Sequence, residues 1–203
     1  MPERNREQID RRILRTRQLI KDAFIDLLQE MDIEKMSISR IAERATINRV
    51  TFYLHYRDIP DMLNKMSDEM IHDIVLAMNG DPDEGSAAEG QDSLKLLRLL
   101  EHIAEHSKFY TVVLGSRRAP IFTERLLRLL TELISIRIEE LENEAPQHRA
   151  VVQKDIAIWY GSSALIGTIA AWLRHDMPYT PSYLAKQFYL LITQMKKETC
   201  EPD

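Results

Sequence analysis

Apolar positions in this 203-residue chain recur three and four apart almost from end to end, the spacing of amphipathic helices. Nowhere do they alternate in twos over the length of a strand. From Ile13 to Met31, the residues Leu19, Ile20, Ala23, Phe24, Leu27 and Leu28 fall on one stripe and predict a long first helix. Ser37 is placed to cap a short second helix that turns Ile38, Ile41, Ala42 and Ala45 inward, and Asn48 to cap a third from Arg49 to about His55. Asp58 caps a fourth. Pro60 is tolerated in its first turn because the missing N–H would have no partner there, and Ile59, Met62, Leu63, Met66, Met70 and Ile74 mark its apolar stripe. Residues 79–91, with three glycines, a proline and several acids, read as a loop. Further helices are expected near Ser93–Glu105, Lys108–Leu114, Pro120–Glu144, Gln147–His175 and Pro181–Lys197, the last capped by Thr180. The pattern predicts an all-α chain of about nine helices with no solenoid repeat.

Composition narrows the class. Hydrophobic residues make up 44% and charged residues 29%, an ordinary mixture for a chain with a packed core. No run approaches the roughly 18 consecutive apolar residues of a membrane span, so no membrane association is expected. The charged start, Met1 to Asp10, does not read as a secretory leader. Cys200 is the only cysteine, which excludes an intrachain disulfide and a cysteine-based zinc site and suits a reducing cytoplasm. The net charge of −5 is unevenly spread: residues 1–57 hold twelve Lys/Arg against nine Asp/Glu, a local +3 that leaves −8 for the remainder. Phosphate affinity follows local charge, so a basic head on an acidic body stays compatible with nucleic acid.

The candidate chemistry lies in residues 37–57, SISRIAERATINRVTFYLHYR. A short helix, a tight turn and a second short helix can form a helix-turn-helix, whose second helix offers its N-terminal residues to base edges in a major groove. Ile38, Ile41, Ala42, Ala45, Ile47, Val50 and Leu54 or Phe52 can pack the pair against the first helix. That leaves Arg40, Arg44, Asn48, Arg49, Thr51, Tyr53 and His55 for outward or flanking faces. Arginine pairs bidentately with guanine, threonine meets a thymine methyl, and hydroxyls suit phosphates. Spacing alone does not separate this reading from a helical hairpin inside an unrelated bundle.

The segments TRQLIKDAFIDLLQEM, SISRIAERA and RVTFYLHYRDIPDML, from about Thr16 to Leu63, resemble the N-terminal domain of the TetR/AcrR family of regulators. The Thr51-Phe52-Tyr53-x-His55-Tyr56 stretch is the most specific part. The resemblance implies a three-helix DNA-binding head over residues 1–58 and a ligand-binding, dimerising body over 59–203. It further implies a homodimer that binds double-stranded DNA at a palindromic operator; separately, no cofactor is expected. Arg49 and Thr51 would read bases, Tyr53 and His55 would contact phosphate or support that contact, and Asn48 would open the recognition helix. Ser37, Ser39 and Arg40 would serve the DNA backbone. Two positions depart from the family: Thr46 stands where glycine is usual in the turn, and Ile59 where lysine is favoured at the start of the fourth helix. The region from Phe109 through WYGSSALIGTIAAWLRHDMPYTPSYLAKQF also resembles the C-terminal domain type common among Firmicutes members.

In the body, the segment from Asp155 to Trp172 is apolar on more than one face, and a helix apolar all round must be covered on two sides. Gly161, Leu165, Gly167, Thr168 and Trp172, with Leu184, Phe188 and Leu191 of the last helix, are candidate dimer contacts; burial within a single chain is the alternative. Met66, Met70, His102, Phe109, Tyr110, Phe122 and Trp159 are candidates to line a pocket for a small apolar or amphipathic effector, although such residues at helical spacing also build cores. His102 and His106 have metal-ligand spacing but no third ligand beside them, so no metal is expected. The expected function is a cytoplasmic repressor released by its effector. The alternative is a regulator-like protein of the coactivator type, acting through a protein partner without a small ligand. No phosphate loop, metalloprotease His pair or paired nucleophile and base supports an enzyme.

Overall fold

The structure, a computed structural model, describes the backbone of residues 3–79, 88–115, 119–144 and 152–198, and side chains from 11–79, 93–115, 119–140 and 152–191. Nine α-helices and no strand occur among the described residues, in keeping with the periodicity. They are α1 (Glu3–Glu30), α2 (Ile38–Arg44), α3 (Arg49–Tyr53), α4 (Ile59–Met78), α5 (Ala88–Glu105), α6 (Ser107–Tyr110), α7 (Pro120–Glu144), α8 (Lys154–Arg174) and α9 (Pro181–Glu198). A single 3-10 turn, Ile33–Lys35, joins α1 to α2, and a widened turn of π type, Thr111–Gly115, prolongs α6. The first helix starts ten residues before Ile13, because its N-terminal turns are polar and carry no apolar stripe to signal them.

The caps lie where the side chains of the sequence invite them. Ser37 Oγ accepts from the Arg40 N–H at 3.3 Å, Asn48 Oδ1 from the Val50 N–H at 3.0 Å, and Asp58 Oδ1 from the Asp61 N–H at 2.8 Å. Each satisfies one donor that the helix start leaves without an internal partner. Thr180 Oγ1 does the same for Tyr183 at 3.3 Å.

Two helix ends use a left-handed residue without glycine. After α2, Thr46 takes φ 56°, its N–H bonds the Glu43 carbonyl at 3.0 Å, and the Ile47 N–H reaches back to Ala42 at 2.9 Å. After α8, Asp176 and Met177 adopt φ 55° and 50°, with Met177 N–H on the Trp172 carbonyl at 2.9 Å. Both are the reciprocal pair of bonds that closes a helix into a left-handed turn. Thr46 therefore preserves the geometry that glycine would adopt and carries the conformational cost itself.

One hydrophobic core runs through the chain. Phe24 and Leu28 of α1, Ile41 of α2 and Phe52 of α3 are buried together with Met62, Met66, Met70 and Ile74 of α4. Helix α4 packs on α5 and α7, α7 on α8, and α5 on α9. Phe109 meets Phe122 edge-on at 5.5 Å between ring centroids. Leu19 is exposed, at the margin of the α1 stripe.

Helix α8 is apolar on average without a long continuous run. It is the one described helix long and apolar enough to cross a membrane, with a mean hydropathy of 1.5, yet only 22% of that stretch is buried within the chain. Glycines, serines and a threonine interrupt every continuous run while leaving the average high.

Candidate nucleic-acid interface

Helix α2 packs on both α1 and α3, and the Thr46 turn sets the angle between the two short helices. Successive residues of α3 are about 100° apart, so Arg49, Tyr53, Val50 and Leu54 share one arc while Thr51 and Phe52 lie opposite. Burial follows this wheel. Phe52 is buried against Tyr56 and Thr51 is half-buried, whereas Val50 is 66% and Leu54 77% exposed. The expected packing role of Val50 and Leu54 is thus corrected: Phe52 alone anchors α3, and the two aliphatic side chains stand in solvent beside Arg49. The stripe rule missed them because a five-residue helix needs only one large anchor.

The other candidates occupy varied positions. Arg49 is exposed and makes no ion pair or hydrogen bond through its side chain among the described residues. Tyr53 is exposed, with its ring edge-on to Phe52 at 5.9 Å. Ser37 and Asn48 are exposed but engaged as caps, and Ser39 is exposed. Arg40 turns back toward the 3-10 turn, Nη1 lying 3.1 Å from Met31 Sδ and 3.4 Å from the Lys35 carbonyl. Arg44 is held at 2.8 Å by Glu30. His55 is half-buried, and burial, with Arg17 adding to it, holds its imidazole below the ordinary pKa. Tyr56, buried behind α3, has its phenol pushed up to about 12 by burial and by the Glu69 carboxylate. Ile59 is half-buried against the core, and the cation at the start of α4 is Arg57, whose Nε lies 3.2 Å from the Asp58 carboxylate.

A second feature lies between α1, α4 and the corner of α5 with α6. A cavity of about 400 Å³ opens there, lined by Met66, Met70, His102, Phe109 and Tyr110 together with Lys21, Asp22, Glu69, Asp73, Glu105 and His106. His102 Nε2 and Tyr110 Oη are 3.0 Å apart, and the His102 and His106 rings lie 4.6 Å apart, tilted at 60° to each other. Burial lowers the pKa of His102, with His106 contributing, and burial raises that of Tyr110. No group of three potential metal ligands occurs among the described residues. Phe122 and Trp159 do not reach this cavity: Phe122 is fully buried in the core, and Trp159 is 63% exposed on α8.

The candidate dimer contacts also divide. Trp172, Leu184 and Phe188 are buried within the chain itself, and the Trp172 indole donates to the Tyr179 carbonyl at 2.9 Å. These three are core residues and offer no surface to a second copy. Gly167, Thr168 and Leu191 are exposed, Leu165 is half-buried, and Gly161 is half-buried near Ile134. Ile156, Trp159 and Tyr160 at the start of α8 and Leu190 on α9 are exposed as well; of these only Trp159 was a candidate site residue, and for the pocket.

The comparisons agree with this architecture. A family model described as "Transcriptional regulator C-terminal region", of the TetR type, matches residues 93–194. An uncharacterized HTH-type transcriptional regulator, YxbF, from Bacillus subtilis (strain 168) is 37% identical over 99 residues, 47% of this chain. The match spans 26% of that relative's length. Among solved structures, a TetR transcriptional regulator from Streptococcus agalactiae 2603V superposes with a TM-score of 0.65 at 24% identity, covering 92% of this chain and 97% of that one. The transcriptional regulator FadR from Bacillus subtilis, in complex with stearoyl-CoA, gives 0.64 at 17% identity, covering 86% and 96%. At these identities the structures share the fold. With half its length matched by the family model, this all-α chain with a helix-turn-helix belongs to the TetR family of transcriptional regulators.

Proposed function

We propose that the protein is a homodimeric repressor that reads a palindromic operator through α3 and releases it when a small effector binds. In this reading residues 1–58 form the DNA-binding head and 59–203 the dimerising, effector-binding body. The observation that carries it is the outward arc of α3: Arg49 with no side-chain hydrogen bond or ion pair among the described residues, flanked by Tyr53 and by two aliphatic side chains that the core does not use. An arginine in a major groove reads guanine O6 and N7, and Val50 and Leu54 suit thymine methyls. The left-handed Thr46 closes α2 and turns the chain into α3.

Dimerisation is supported by α8. A helix of this hydropathy, mostly uncovered in one chain, is stable when its free face meets another apolar surface. A twofold pair would then present two α3 helices to half-sites about 34–36 Å apart. The cavity beside α1 is where an effector could touch both head and body. The Bacillus subtilis FadR structure, with stearoyl-CoA bound, supports a ligand with an apolar tail, without bearing on the charge of its head.

Selection from a randomised DNA pool tests the reading. The enriched sequences should be palindromic, and binding should weaken steeply with salt as counterions are released. Enrichment of no sequence, with salt-independent retention, would show that DNA reading is not the activity.

A further inference from the structure

The cavity between α1, α4 and the α5–α6 corner has unequal charge chemistry on its walls. Its cations are already engaged. Lys21 pairs with Glu69 across α1 and α4, a carboxylate that Arg17, outside the cavity lining, also approaches at 3.6 Å, and Lys108 reaches out to Asp26 at 3.0 Å. Two of its carboxylates are not: Asp73 on α4 and Glu105 on α5 are exposed and make no ion pair or hydrogen bond among the described residues. Both line the cavity together with His102, one from α4 and the other from α5. Beneath lies an apolar floor, with Met66 and Met70 buried and Phe109 half-buried.

We propose that this cavity binds a small organic cation with an apolar tail, the cationic head between Asp73 and Glu105 and the tail over Met66, Met70 and Phe109. Free carboxylates above an apolar floor favour a ligand that brings one positive charge and leaves the floor dry. The same carboxylates repel a carboxylate- or phosphate-bearing ligand. A volume of about 400 Å³ accommodates an aryl or alkyl group with a short linker. Because one wall is α1, the occupant also stands beside the Lys21–Glu69 pair that ties α1 to α4. An ammonium that shares Glu69 weakens that tie. This inference rests on reading the cavity as the effector site, and its test separates the two.

Three probes with one scaffold are titrated calorimetrically into the full chain: 4-phenylbutylammonium, 4-phenylbutanol and 4-phenylbutyrate. The ammonium should bind at least about tenfold more tightly than the alcohol at low salt, with the carboxylate weakest and the gap narrowing as salt rises. Asp73→Asn combined with Glu105→Gln should erase the advantage of the ammonium while leaving the alcohol's affinity and the helix content unchanged. Both side chains are exposed, so folding does not depend on them. Equal affinities, strongest binding by the carboxylate, no binding by any probe, or an ammonium preference that survives the double variant would each overturn the proposal. If the ammonium binds as expected but operator affinity does not respond, the cation site stands and its assignment as the effector site fails.

Discussion

Two surfaces of this protein leave large apolar side chains in water, and their surroundings differ. On α3, Val50 and Leu54 are isolated between Arg49, Tyr53 and the exposed Arg57. On α8, Ile156, Trp159 and Tyr160 are followed by exposed small residues from Ser163 to Thr168, with no charged residue between Asp155 and Arg174. An apolar residue set among cations suits a polyanion whose bases carry methyl groups. A long uncharged face has no such complement and suits a second apolar surface. Exposure alone does not distinguish these uses; the neighbouring charge does.

The largest expected effect removes the support behind the first surface. Phe52 is fully buried, and Phe52→Ala should cost about 3–5 kcal/mol, lowering the denaturation midpoint and abolishing operator binding together. A normal midpoint would mean that α3 is held by something other than this ring.

The second surface can be broken without touching the core. A Cβ added at Gly167 would meet nothing within 4 Å, so Gly167→Leu should fold normally as a single chain. In a twofold seam the leucine appears twice, at about 1–3 kcal/mol of overpacking each, and sedimentation should show monomers. A variant that remains dimeric with native stability places the seam elsewhere.

Arg49→Ala sharpens the comparison, because it should weaken operator binding by about 1–3 kcal/mol and relax sequence preference at one base pair while dimerisation is retained. Tyr53→Phe should weaken binding less, by about the 0.5–1.5 kcal/mol of one hydrogen bond. Fluorescence anisotropy on the selected operator measures both, and unchanged affinity in the two variants removes α3 as the reader.

Thr46→Gly should stabilise the protein by about 1 kcal/mol, since glycine adopts φ 56° without the cost to a Cβ. A loss of stability would show that the threonine side chain contributes more than its backbone strain removes.

The smallest effect is one of pH. His102 and His55 have pKa values below the ordinary 6.5 in the folded protein, so between those lowered values and 6.5 the unfolded chain holds more protons. Stability should therefore rise with pH through that window and level off above it. Urea midpoints across the range should show the slope, and His102→Gln should flatten it. A slope unchanged in that variant would assign the dependence to other groups.

Much of the fold was legible along the chain. Stripes on α1 and α4, the caps Ser37, Asn48 and Asp58, and the α7 boundaries agree between pattern and structure, because helix period and capping are local. The candidate sites were legible in part. Five of the proposed pocket residues line one cavity, yet Phe122 and Trp159 lie apart from it. Periodicity gives the face of a helix but not what stands opposite that face.

The sequence by itself determined the helical class, the order of elements and the resemblance of α1–α3 to a known reader. Each depends on residues within one or two turns of one another. Only the tertiary structure decided which apolar residues the core consumes. It buried Trp172, Leu184 and Phe188 and left Val50, Leu54 and Trp159 outside. It also placed Asp73 and Glu105, more than thirty residues apart, on the wall of one cavity that α1 also lines. Burial and proximity of this kind follow from how helices cross, and no local pattern encodes the crossing.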